Sequence, residues 1–392
     1  MFESPSNLFW SMPGPSEFVA KVTDATRNAR AVVLSLTEYP PNGLWHAVRM
    51  GLRDANIFEP IELTIYDGMN VPAEIGTHFS LPSLSAEALA HHRYGYQHAV
   101  ILKAAGKRAQ QQCNEYVMAF LSAIGGAIGD VRLIIAIQDG ENTQDIVGEA
   151  IRVIAFSGML TSDEMEAYIT QRMVLARGPG STRLLRHLVT EYAGFDPQLA
   201  EQLIAMDPSR IYDLPDSLAP LLGTNLLRWS AHSWAAGTVT AAFTEIHPLR
   251  EWYVATHAGT EAAKYRQSSE KRYWRACLKA LIPWMEERRP RILEMLTNPI
   301  SDLERAHGDN GYIMKKLGNR TVQVTREELE YNDLAFFFKQ GFGITTSMEQ
   351  AAVSVCRKAK IVRDELAHLR PPKPSDIVAL VSDMDALMSA TP

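Results

Sequence analysis

A chain of 392 residues, 46% hydrophobic and 21% charged, has the composition of a globular protein with room for two or three domains, which excludes a disordered polymer. The formal net charge of -6 excludes a general nucleic-acid binder, but the sign is uneven: residues 260–392 hold 21 Lys+Arg against 18 Asp+Glu, and the rest 18 against 27. The start, Met1-Phe2-Glu3-Ser4-Pro5, lacks the basic and apolar run of a signal peptide, and no apolar segment reaches about 18 residues, so a soluble, cytoplasmic protein without a membrane partner is expected.

Residues 1–156 alternate apolar strands with helical segments. Ala31–Leu36, Ile61–Tyr66, His98–Lys103 and Val131–Ile137 read as strands, with helices over Gly43–Ala55 and Lys107–Ala123. Short apolar runs spaced by helices predict a parallel α/β sheet covered on both faces. Strand, loop and helix over Val32–Ala55 stand where a nucleotide-binding loop would sit. That loop needs glycines whose N–H groups cradle phosphates, a lysine, and a Ser/Thr for Mg²⁺. Here Glu38-Tyr39-Pro40-Pro41-Asn42-Gly43 supplies an acid and two prolines, and Leu44-Trp45 fall where Lys-Ser/Thr belong, which argues against ATP hydrolysis. Gly140-Glu141-Asn142 is a candidate strand-end contact.

From 157 to 225 the strands stop. Thr161-Ser162-Asp163-Glu164 caps a helix running to Met173, and further helices start at Ser181, Asp196-Pro197 and Asp207-Pro208. Residues 226–259, with Trp229, Trp234, Trp252 and a candidate hairpin over Thr238–Ile246, form a connecting segment. In 260–392 a helix over Thr260–Ala280 is expected to kink or restart at Pro283, and Gly318-Asn319 reads as a hairpin tip. Ala351, Val355, Ala359, Val362 and Leu366 form one apolar stripe on a helix over Ser347–Leu369, and Ser375 caps a last helix to Met388. Cys113, Cys277 and Cys356 lie far apart and predict buried thiols rather than a zinc site or disulfides. Neither His78, His91, His92 and His98 nor any other group gives metal-ligand spacing, and no nucleophile elbow is present, so no metal and no cofactor is expected. Phe336-Phe337-Phe338 reads as a core plug.

The sharpest motif is Arg363-Asp364-Glu365-Leu366-Ala367-His368, an R-x4-H at the end of the striped helix. A permanent cation and a group titrating near neutrality are what a metal-free ribonuclease needs. Five residues of helix turn about 500°, which points the two side chains about 140° apart unless the helix end frays or two chains pair.

Val362–Pro371, with the helix Tyr273–Leu296 before it, resembles the HEPN domains, helical bundles whose ribonuclease members carry R-x4-6-H. The resemblance implies that Arg363 binds the scissile phosphate, His368 acts as general acid/base and Asp364 orients one of them. It implies RNA, such as tRNA, as substrate, and a homodimer or higher oligomer through the C-terminal helices. Residues 1–225 are similar in arrangement to a degenerate P-loop NTPase with a helical lid, as in the inactive STAND-like modules of prokaryotic conflict systems. Together these imply a stress- or phage-response effector with an inactive sensor domain. The alternative is a non-catalytic adaptor that recruits a separately encoded effector from the same operon.

Overall fold

The computed structural model describes residues 5–36, 41–56, 58–93, 97–124, 129–138, 150–177, 183–226, 246–257, 259–260, 262–309, 312–317, 320–338 and 343–390. They fall into two compact units. The first takes Met1–Arg172, Phe195–Leu199 and Leu221–Arg250, and the second Met173–Gly194, Ala200–Pro220 and Glu251–Pro392. The helices between 157 and 225 are therefore shared by both units.

In the first unit, α1 (Pro5–Ser11) and α2 (Pro13–Asn28) precede β1 (Ala31–Leu36). There follow α3 (Leu44–Asp54), β2 (Phe58–Tyr66), α4 (Val71–His78), α5 (Ala86–His91), β3 (Gln97–Ala105), α6 (Lys107–Ala123), β4 (Val131–Gln138) and β5 (Ile151–Phe156). The five strands form one parallel sheet in the order β2-β3-β4-β1-β5. Alternation along each strand explains why the runs are apolar throughout. Val33, Val100, Leu102, Leu133 and Ile135 join Cys113, Tyr116, Val117 and Phe120 of α6 in one core layer. Val32, Leu34, Ile101 and Ile134, of opposite parity, are just as buried.

The expected strands are present, and β2 and β3 begin earlier than the apolar runs suggest. The fifth strand was not anticipated. β5 is an edge strand whose middle is largely exposed, and Arg152 cuts its apolar run to the four residues Val153–Phe156. The candidate hairpin over Thr238–Ile246 lies outside the described residues apart from Ile246.

The remaining helices are α7 (Ser162–Arg177), α8 (Arg183–Ala193), α9 (Pro197–Ala205), α10 (Pro208–Ile211), α11 (Leu214–Ser217), α12 (Ala219–Leu226), α13 (Pro248–Thr256), α14 (Ala262–Met295) and α15 (Thr297–His307). The short strands β6 (Gly308–Asp309), β7 (Tyr312–Leu317) and β8 (Arg320–Val324) make an antiparallel sheet, with β7 and β8 flanking the expected tip. The chain continues through α16 (Tyr331–Phe337), α17 (Ser347–Ala367) and α18 (Pro374–Ser389).

In the second unit α14 packs on α8 and α17, and α17 packs on α16 and α18. Helix α14 runs unbroken for 34 residues through Pro283 and Pro290. The expected restart at Pro283 is absent because both prolines lie on the exposed side, while Ala276, Cys277, Ala280, Leu281, Met285, Ile292 and Leu293 stay buried on either side of the interruptions. Packing of that face outweighs a proline cost of about 3 kcal/mol. Helix α17 opens on a capping box, in which Thr346 Oγ1 accepts from the Glu349 N–H and the Glu349 carboxylate accepts from the Thr346 N–H. Its stripe is Ala352, Val355, Ala359, Val362 and Leu366; Ala351 is exposed, and Ala352 takes its place in the core. Lys373, not Ser375, stands at the N-cap of α18, because Pro374 fits the first helical position without needing an N–H partner. Of the three phenylalanines, Phe338 is buried and Phe336 is 61% exposed.

Candidate functional site

Two places follow from the sequence: the C-terminal ends of the parallel strands, where open α/β sheets receive ligands, and the end of α17.

After β1 the described chain resumes at Pro41, and Gly43 takes φ 85° before α3. The first turn of α3 is Leu44-Trp45-His46, with Leu44 buried. The Trp10 indole N–H donates to the Asn42 carbonyl at 2.8 Å. Phe9, Trp10 and Phe18 surround Phe156, the last residue of β5, and Phe18 stacks on Phe156 with centroids 4.2 Å apart. The Glu164 carboxylate accepts from the Gly14 N–H at 2.5 Å, the Thr161 N–H at 2.9 Å and the Thr161 hydroxyl at 2.7 Å. Burial pushes that carboxyl up, but these three hydrogen bonds outweigh it and hold it below the usual range. One side chain thus caps both α7 and the start of α2.

At the end of β3, the N-terminus of α6 is occupied by the exposed side chain of Asp67, the residue after β2. Asp67 Oδ1 accepts from the Ala109 N–H at 2.7 Å. Gly106 has φ 139°, and a Cβ there would lie 2.4 Å from the same oxygen, so glycine is needed for this approach. A helix N-terminus attracts anions through its free N–H groups and dipole; here a carboxylate already supplies the negative charge. Nearby, Glu62 pairs with Lys103 and lies 3.4 Å from Arg49 Nε. The candidate contact Gly140-Glu141-Asn142 lies outside the described residues.

At the end of α17, each of the three motif residues has its own protein partner. Arg363 Nη1 bonds to Glu330 Oε2 at 2.6 Å, and Glu330 is the N-cap residue of α16. The hydrogen bond to Glu330 raises the Arg363 pKa against the effect of burial, and Glu286 and Asp333 add to the negative field. The same bond depresses the Glu330 carboxyl. Asp364 Oδ2 bonds to Lys360 at 2.5 Å, not to Arg363 or the His368 ring. His368 is exposed and forms the C-cap of α17, with its Nδ1 2.7 Å from the Asp364 carbonyl oxygen. A carbonyl only accepts, so Nδ1 is the donor in this contact. The chain then turns at Leu369 with φ 57°, and Arg370 pairs with Glu365 at 2.8 Å. The Trp274 indole N–H donates to the Leu366 carbonyl at 2.9 Å, satisfying one of the carbonyls the helix end leaves open.

Sequence reasoning missed Glu330, Trp274 and Asp67, and it read Glu164 in the cap of α7 without its bond to Gly14. Glu330 was signalled by Glu330-x-x-Asp333, a capping box that forms at α16, and Asp67 by its place directly after a strand. The Trp274 bond to Leu366 and the Glu164 bond to Gly14 reach across distant parts of the chain and gave no local signal.

Burial pushes the Cys113 thiol up to about 11 and those of Cys277 and Cys356 to about 12, so all three stay protonated near neutrality. Among the described residues, no group of three or more His, Cys, Asp or Glu could hold a metal ion, and no helix is long and apolar enough to cross a membrane.

No protein-family model matches the chain, and no curated protein matches it. Among solved structures it is similar to Drosophila ORC bound to DNA, with 11% identity and a TM-score of 0.32 over 98% of this chain and 73% of that one. Drosophila ORC bound to GC-rich DNA and Cdc6 gives 10% identity and 0.29 over 96% and 69%, and ORC with poly(dA/dT) DNA and Cdc6 gives 11% and 0.29 over 95% and 67%. At such TM-scores the likeness carries no weight for fold or function.

Proposed function

We propose that this chain is a non-catalytic adaptor, with a P-loop NTPase-like unit that hydrolyses no nucleotide and a HEPN-like helical unit, which recruits a separately encoded effector. The observation that carries the reading is the placement of the protein's own carboxylates: Glu330 is bonded to Arg363, and Asp67 fills the α6 N-terminus. A phosphate would have to displace a carboxylate at either place. The sheet order β5-β1-β4-β3-β2 supports the NTPase-like assignment as an analogy of fold, which says nothing by itself about activity.

The test is incubation of the protein with labelled total tRNA in EDTA, beside a His368→Ala variant. An adaptor leaves the RNA intact in both. Cleavage by the unsubstituted protein that disappears in His368→Ala overturns the reading. Release of phosphate from ATP by the purified chain would remove the description of the N-terminal unit.

One observation favours a second reading, a metal-independent ribonuclease. His368 is exposed at a helix end, and its contact to the Asp364 carbonyl uses Nδ1 and not Nε2. In that reading Glu330 restrains Arg363 in a resting form, and Glu330→Gln increases cleavage.

A further inference from the structure

We infer that the open edge of β8 is a homodimer interface, pairing antiparallel with β8 of a second copy about Val322. Among the described residues β8 pairs with β7 alone. Arg320, Thr321 and Gln323 are exposed, and Val322 and Val324 are half-buried. An open strand edge presents unpaired main-chain groups, and proteins block such edges with lysine, proline or bulges along the strand. The central run Thr321-Val322-Gln323-Val324 contains none of these residues.

The register decides which groups face outward. Leu317 pairs with Arg320 across a two-residue connection, and the pair closing such a hairpin exchanges both main-chain hydrogen bonds. Bonded and non-bonded pairs alternate, so Arg320, Val322 and Val324 direct their N–H and C=O toward β7. Thr321 and Gln323 direct theirs to the open edge. A two-fold axis at Val322 then sets Thr321 opposite Gln323 of the second copy, and Gln323 opposite its Thr321. Each pair exchanges two main-chain bonds, so all four outward groups of each strand are satisfied.

The side chains suit the same register. Val322 meets its own counterpart, Thr321 meets an amide, and Arg320 meets Val324, so no like charges stand directly opposite. The two Arg320 residues are four positions apart along the ladder, about 13 Å at roughly 3.3 Å per residue. Lys315, the described cation of β7 nearest the centre, is already bonded to Asp333 at 2.8 Å. Helix α15 packs against β6 and β7, and its Ser301 and Glu304 reach Arg326 just beyond β8 rather than Thr321 or Gln323.

Two experiments on the full chain test the pairing. In the first, Val322→Cys and Arg320→Cys are oxidised separately. Opposed residues of a non-bonded pair have Cα atoms about 4.5 Å apart, within disulfide range, whereas about 13 Å is far beyond it. The three native thiols are buried, which keeps the background low. Val322→Cys is expected to give a covalent dimer and Arg320→Cys none. Failure of Val322→Cys to cross-link, or equal cross-linking of both, overturns the register.

The second is sedimentation velocity across a concentration series. The unsubstituted protein and Gln323→Ala are expected to dimerise alike, because the contact uses the main chain. Gln323→Pro removes an outward N–H without touching the bonds to β7, and is expected to sediment as a monomer. A dimer that survives Gln323→Pro overturns the proposal. An unsubstituted chain that stays monomeric overturns it too, leaving the edge to an extended peptide from another protein.

Discussion

In the first unit, Val32, Val33, Leu34, Ile101 and Ile134 stand on adjacent strands with no exposure, and they use both faces of one sheet. In the second, α17 buries a single stripe and anchors the rest through polar ties: Arg363 to Glu330, the Trp274 indole to the Leu366 carbonyl, and Lys358 to Asp383. Tyr331 likewise donates to the Met285 carbonyl at 2.7 Å, and Arg289 donates to the Leu329 carbonyl at 3.2 Å. A parallel sheet is thus specified by volume and pattern, whereas neighbouring helices gain a defined register from a few directional bonds. The charged residues near α17 serve that register, which is why an arginine with the spacing of a catalytic group is found in an ion pair.

The contrast is sharpened first by Ile135→Ala. Ile135 is 1% exposed in β4, near the middle of the sheet, and its truncation should cost about 2–5 kcal/mol, read as a lower urea midpoint. A loss as small as a surface substitution would break the claim that apolar volume holds this unit.

A smaller effect is expected from the network on α8. Glu191, 10% exposed at its side chain, accepts from Lys279 and Arg275. Burial pushes its carboxyl up, but those two cations outweigh it and hold it below the ordinary value. A depressed folded pKa gives stability that is complete above the unfolded value of about 4.3 and is lost as pH falls through the lower folded value. Unfolding midpoints measured from pH 6 downward should therefore fall less steeply for Glu191→Gln than for the unsubstituted chain. Parallel curves would remove the network from the account.

The smallest effect belongs to Arg363 and Glu330. Their side chains are 29% and 45% exposed, so a double-mutant cycle to alanine should return a coupling of only about 0.2–1 kcal/mol. A coupling near zero would show that the contact leaves Arg363 available.

The sequence made the central strands legible because burial on both faces forces a continuous apolar run. β5 was hidden by its edge position, where Arg152 and Val153 face outward. The helix does not restart at Pro283, because the packed face opposite carries it through the lost bond. At the candidate site the spacing of Arg363 and His368 could be read, but their partners could not. Glu330 lies 33 positions from Arg363 and Trp274 lies 92 from Leu366, so neither bond leaves a local pattern. The N-terminal helices were likewise unread, because Trp10 and Phe18 acquire their role only against Phe156 of β5.

Pro283 and Pro290 have a mechanical consequence for α14. Each proline withholds the amide that would bond to the carbonyl four positions earlier, so the carbonyls of Lys279 and Glu286 receive no such bond. Seven residues make almost two full turns, which puts both gaps on the same, solvent-facing side. Any bend opened at the two gaps would add instead of cancelling, toward the buried face. The longest helix among the described residues therefore concentrates its two missing amide bonds on its solvent side.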